Sequence, residues 1–295
     1  MHTARYLLVA VSMLLLATVP AFGHASGSPV TAAASAASAN VAAAVSSPHT
    51  AVSPSASTPL TAILVARRMQ PVSRTRAQAK LVWADEFNGP LGSAPSAANW
   101  YVDSGKSSCG VETDDPGAVS IDGAGHLVIT ARSRNGGYVS GKLQTNPAWK
   151  YGTIEARIEI PAGRGLWPAF WGLGADFDTV GWPACGEIDA MESLGNDTHT
   201  VYGSVHGKAI DRTTPVTVPP DLSAGFHTYG VTWTATSVTM FVDGAHYATY
   251  AVKFRRPFFW ILDLAVGAPG AWPGGPGPAT QFPATMQVDW VRVYR

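Results

Sequence analysis

After residue 80 the sequence holds no capped, amphipathic stretch that would carry a helix beyond about two turns. Thirty Gly and 22 Pro are spread through the 295 residues and interrupt helical periodicity. What survives is alternation. Ile154, Ala156, Ile158 and Ile160 alternate with Glu155, Arg157 and Glu159, which predicts a strand with one buried and one wet face. Residues 238–242, then Asp243-Gly244, then residues 245–250 predict a two-residue hairpin, because Asp-Gly accepts the positive φ angles of that turn. Gly123-Ala124-Gly125 predicts a turn into a strand over 126–130, and residues 287–294, rich in β-branched and aromatic side chains, predict a closing strand. The fold class is all-β, with two antiparallel sheets packed as a sandwich.

The first 80 residues differ in kind. They contain six Lys/Arg, no Asp or Glu and none of the ten Trp. Residues 1–25 have the form of a secretory signal: Arg5, then a mostly apolar run from Tyr6 to Val19, then small residues. That run is shorter than the ~20 residues of a membrane span. Residues 26–80 are dominated by Ala, Ser, Thr, Pro and Val and cannot bury enough surface to fold, so they are expected to be a disordered linker. The folded domain is expected over 81–295. Secretion, no stable membrane association after cleavage, and a monomer follow as expectations. All twenty acids but only fourteen Lys/Arg lie in that domain, which argues against nucleic acid as a partner.

One segment concentrates the charge. Glu187-Ile188-Asp189-Ala190-Met191-Glu192 places three carboxyl groups within six residues of a chain in which only 14% are charged. On a strand, Glu187 and Asp189 share a face, whereas Glu192 would point the opposite way. A β-bulge at Ala190 or Met191 restores the phase. Like charges so close raise the pKa of at least one group. A carboxylate beside a carboxylic acid is what glycosidic hydrolysis needs, and a separation of ~5–5.5 Å gives retention through a double displacement. A solvated acidic face is the ordinary reading of such a triplet, and a cation site is another. Trp167, Trp171 and Trp182 lie close in sequence and favour a sugar cleft, since indole rings stack on sugar faces.

Glu187-Ile-Asp-Ala-Met-Glu192 resembles the E-x-D-x-x-E signature of glycoside hydrolase family 16, in its laminarinase-like (endo-β-1,3-glucanase) branch. Residues 81–89, 151–158, 165–171, 226–233, 263–267, 272–274 and 288–294 resemble the family in the same order. The resemblance implies a concanavalin A-like β-jelly roll with a concave carbohydrate cleft. It implies Glu187 as nucleophile, Asp189 as its helper and Glu192 as acid/base. It places Trp167, Trp171, Trp182, Trp272 and His206 along the cleft, although a buried, satisfied His206 fits its strand equally well. β-Glucan is the expected substrate. A transglycosylase or a galactan hydrolase would use the same covalent intermediate, while a lectin-like binding module would not need the triplet. No cofactor is implied for catalysis. A structural calcium is, held by the Asp289 side chain and backbone oxygens near Glu86 and Gly125. Two departures stand out: 106–112 replaces an Asn-Asn-Glu stretch, and Lys142 replaces a common Arg. In an exported chain with two cysteines, Cys109 and Cys185 are expected to form a disulfide pinning the 106–112 loop, with two buried thiols as the alternative.

Overall fold

The computed structural model describes residues 70–71 and 79–295. The expected signal segment and most of the expected linker lie outside the described residues. Gln70–Pro71, inside the linker range, pairs antiparallel with Ala245 and His246.

Two sheets make up the domain. The seven-stranded sheet runs, in spatial order, Ile210–Thr217, Asp197–Gly207, Glu187–Leu194, Leu166–Gly174, Phe258–Val266, Lys142–Thr145 and Trp100–Val102. All its pairings are antiparallel. The twelve-stranded sheet covers it and has Gly152–Glu159 and Ala284–Tyr294 at its centre. The only helical turns among the described residues are Pro116–Ala118 and Phe177–Val180. Among those residues no helix is long and apolar enough to cross a membrane.

The core lies between the sheets. Ile188, Ala190, Phe170, Val205, Leu262 and Leu264 from the seven-stranded sheet meet Ile154, Ala156, Ile158, Val231, Met240 and Val291 from the other. Period-2 alternation therefore turns the opposite residues of the seven-stranded sheet outward, onto the face that carries the polar cluster described below. The predicted hairpin forms between Ser237–Val242 and Ala245–Ala251, with Asp243 at φ 47° and Gly244 at φ 75°.

Glu155 departs from the expected wet face, being fully buried. Opposite it stands Gly230, where the Phe241 ring lies 2.6 Å from the position of an added Cβ. With no side chain at 230, that ring folds over the strand and covers Glu155.

Ion pairs surround the residues expected to hold calcium. Asp289 accepts a salt bridge from Arg157, and both Glu86 side-chain oxygens accept from Arg292, at 2.8 Å each. The Glu86 carbonyl does approach Gly125, 4.0 Å from the position of an added Cβ. One oxygen of the single carboxylate in the set, Asp289 Oδ2, is paired with the Arg157 guanidinium.

Ile188 anchors the acidic strand to this core. Ile188→Ala is expected to cost about 2–5 kcal/mol, lowering Tm by roughly 4–20 °C in a domain of this size, readable by calorimetry.

Candidate active site

Register data locate the bulge. Trp171 pairs with Asp189 and its neighbour Phe170 with Met191, so Ala190 is the extra residue. On the other side Asp189 pairs with Ser204 and Glu192 with Tyr202. Ala190 and Met191 both turn into the core, and neither is exposed at all. Glu187, Asp189 and Glu192 consequently share the outer face, as the sequence spacing required. Gly186 enters this strand at φ 83°, with the Phe254 ring 2.8 Å from where a Cβ would sit, so only glycine fits there.

Each carboxyl group has a different setting. Glu192 accepts from Trp167 Nε1 at 3.1 Å and from Ser204 Oγ at 3.3 Å, and Ser204 in turn bonds Thr213 at 2.9 Å. His206 Nε2 lies 3.3 Å from Asp189 Oδ2 and 4.0 Å from Glu187 Oε1. Its other nitrogen, Nδ1, lies 2.8 Å from Asp211. Trp182 sits beside this pair, its ring 6.4 Å from the imidazole of His206.

Burial is the dominant electrostatic fact. It pushes the Glu192 carboxyl up to about 8, aided by the nearby Asp189 and opposed by His206, Ser204 and Trp167. Glu187 and Asp189 are both raised well above the ordinary carboxylate range, again chiefly by burial; Asp189 pushes Glu187 further up, and Asp263 does the same to Asp189. Three full negative charges cannot coexist here at neutral pH. The cluster holds protons, with Glu192 in its acid form. Ligand atoms of Glu187, Asp189 and His206 fall within 4.8 Å of one another. His206 is hydrogen-bonded to Asp211 through Nδ1, and its Nε2 lies 3.3 Å from Asp189.

The expected aromatic residues fall on the same face. Trp167 packs edge-on against Trp272 at 5.7 Å, and Trp272 against Tyr202 at 4.8 Å. These three half-buried rings stand on the Glu192 side, and Trp182 stands on the Glu187 side. Trp171 is fixed by its Nε1 to Asp263 at 2.7 Å. It forms one wall of a pocket of about 180 Å³ that also involves Tyr101, Asp103, Lys142, Phe177 and Phe259. Tyr202, Ser204 and Asp263 were not singled out in the sequence. Tyr202 and Ser204 are reachable only through the pairing of Asp197–Gly207 with the acidic strand, which no local pattern reveals.

The expected disulfide is absent: Cys109 and Cys185 are free thiols. Both pack against the same small apolar cluster of Ala169, Trp171, Leu173 and Ile261, and burial pushes both thiols up, that of Cys185 to about 11. The 106–112 loop is instead held by hydrogen bonds. Val111 N donates to Val266 O, and Val266 N donates to Glu112 Oε2, each at 2.8 Å. Lys142 donates to Ser108 Oγ at 3.0 Å and lies 3.3 Å from Asp103. Burial pushes the Lys142 pKa down, but Cys109, Asp103, Asp114 and Asp263 hold it above the ordinary lysine value.

The comparisons with known proteins agree with this geometry. The family model described as glycosyl hydrolases family 16 matches residues 97–292. A beta-glucanase of Rhodothermus marinus is 36% identical over 249 residues, covering 73% of this chain and 85% of that protein. A glucan endo-1,3-beta-glucosidase A1 of Niallia circulans is 31% identical, and the chain spans only 39% of its length. The X-ray structure of an endo-beta-1,3-glucanase from Pyrococcus furiosus superposes with a TM-score of 0.67 at 37% identity, covering 73% of this chain and 94% of that one.

Raised carboxyl pKa values have a stability consequence. Glu192 and Asp263 titrate near 8 when folded but in the ordinary carboxylate range when unfolded. The folded state binds more protons between those limits, so stability is full below about pH 4 and falls as pH rises through 8. Tm is expected to decline from pH 5 to pH 9. Glu192→Gln should flatten that decline and melt above wild type at pH 9.

Proposed function

The chain belongs to glycosyl hydrolases family 16 and is a glycoside hydrolase of the endo-β-glucanase kind, and from this we propose a secreted enzyme that cuts β-1,3 bonds inside laminarin-type glucans with retention of configuration. The observation that carries the reading is the bulged strand, which presents Glu187 and Glu192 on one face with Asp189 between them.

The chemistry divides between the two glutamates. Glu187, as carboxylate, attacks the anomeric carbon while Glu192 gives its proton to the leaving oxygen, and a covalent glycosyl-enzyme forms. Glu192, now ionised, takes a proton from water. That water attacks the same carbon and releases Glu187, restoring the original anomer. A Glu192 pKa near 8 keeps the acid form available for the first step. Asp189 holds a proton beside Glu187 and removes one of two adjacent like charges. Trp167, Trp182 and Trp272 offer indole surface for the sugar rings on either side of the acids. The basic, acid-free segment before residue 80 and its apolar start favour export.

Release of reducing ends from laminarin, compared with lichenan, cellulose and agarose, tests the substrate. Activity on agarose alone would replace the β-glucan reading with a galactan one. Glu187→Gln and Glu192→Gln are each expected to lose at least about 10³-fold in kcat on laminarin, and Asp189→Asn less. Proton NMR of the first-formed product should show the β-anomer; the α-anomer would eliminate the double displacement.

A further inference from the structure

One row of side chains crosses three strands on the face that carries the acids. Glu187 pairs in register with His206, and His206 pairs with Asp211 on Ile210–Thr217. Asp189 stands diagonally from the same ring, since its own partner is Ser204. Glu187, Asp189 and His206 each offer one ligand atom, and these atoms all lie within 4.8 Å of one another. Each of the three residues is more than nine-tenths buried. Glu187 Oε2 and Asp189 Oδ2 have no hydrogen bond. His206 Nε2 stands 3.3 Å from Asp189 Oδ2 and 4.0 Å from Glu187 Oε1. The first contact lacks hydrogen-bond geometry, and the second is too long to be a hydrogen bond.

Buried carboxyl oxygens without donors call for a positive partner. Among the described residues the ion pairs of Glu187 and Asp189 run to His206, not to a Lys or Arg. One imidazole nitrogen with two carboxylates is a zinc donor set, and metal–ligand bonds of ~2.0–2.1 Å give a tetrahedron with edges of ~3.3 Å. The Nε2–Oδ2 separation already has that length. A small rotation of the Glu187 side chain closes the other edge from 4.0 Å. A metal-bound histidine also needs its second N–H donated to a carboxylate, which fixes the ring and makes its free nitrogen a better ligand. His206 Nδ1 lies 2.8 Å from Asp211 Oδ1. The entering ion displaces to solvent whatever protons its three ligands carry, so the site needs no particular protonation state beforehand. Calcium fits poorly, because it takes about 6–8 oxygen ligands and the group offers two carboxylates and a nitrogen.

We propose that Glu187, Asp189 and His206 form an inhibitory site for a dication of the zinc class, with Asp211 behind the histidine, and that the bound ion stops hydrolysis by occupying Glu187. The inhibition, though not the binding, rests on the assignment of Glu187 as nucleophile. Zinc takes the oxygen lone pair that would otherwise attack the anomeric carbon. Ion and sugar cannot share that oxygen, so they compete.

Two measurements on the full, chelator-treated chain decide the matter. Calorimetric titration with zinc chloride reads binding without turnover. Wild type is expected to take up one more zinc per chain than His206→Gln, and Asp211→Ala to bind that zinc roughly 10- to 100-fold more weakly. Equal uptake by wild type and a folded His206→Gln overturns the proposal. If His206→Gln does not fold, unchanged affinity in Asp211→Ala, whose side chain is exposed, overturns it instead. The second measurement is laminarin hydrolysis at rising zinc. Zinc at roughly ten times its calorimetric Kd is expected to raise KM about 10-fold with kcat unchanged. The same concentration of calcium should leave KM where it was. A fall in kcat at constant KM, or equal inhibition by calcium, overturns the proposal. Failure to cleave laminarin in the absence of metal would count against the substrate and leave the zinc site to calorimetry.

Discussion

Three carboxyl groups buried along six residues of one strand repel one another and lose their hydration, and the surrounding structure is organised to tolerate that. The strand cannot drift, because Ile188, Ala190 and Met191 are locked into the inter-sheet core on its other face. Glu192 is given partners from neighbouring strands, Trp167 and Ser204, and His206 stands 3.3 Å from Asp189, whereas Asp189 Oδ2 and Glu187 Oε2 are buried without a hydrogen bond. What is left is a site that retains protons at neutral pH. That condition opposes stability and serves acid catalysis, a common trade at functional sites.

A second charged group lies under the adjoining pocket, and it follows the opposite rule. Lys142 is buried among Asp103, Asp114 and Asp263, so its ammonium is compensated, and it also donates to Ser108 in the 106–112 loop. An Arg at this position would offer a planar fork to a substrate. Lys142, a compact point charge directed at three acids and a loop hydroxyl, ties the loop to the sheet. Together with the Glu112–Val266 bond, it does the holding that a disulfide was expected to do.

How far the sequence carried the reading depends on the range of each signal. The strands, the Asp243-Gly244 turn and the bulge at Ala190 were legible because each rests on residues within a few positions of one another. The bulge was demanded by the five-residue offset between Glu187 and Glu192, and the pairing of Phe170 with Met191 and of Trp171 with Asp189 met that demand. Glu155 misled because the ring that covers it, Phe241, comes from another strand of the same sheet. Cys109 misled because the 106–112 loop is tied by bonds to Val266, which is distant in sequence, and needs no bridge to Cys185. Asp211 and Ser204 went unnoticed, since only the pairing of three consecutive strands brings them beside the acids.

Ile210–Thr217, the strand that supplies Asp211, is also the edge of its sheet. An edge strand leaves one row of backbone groups unpaired and invites another chain to add on. Here the strand is largely solvent-facing, carries Asp211 and Arg212 side by side, and contains Pro215, which has no N–H to offer an incoming strand. The same few residues therefore blunt the sheet against edge-to-edge growth. One strip of surface thus guards the sheet edge and borders the acids.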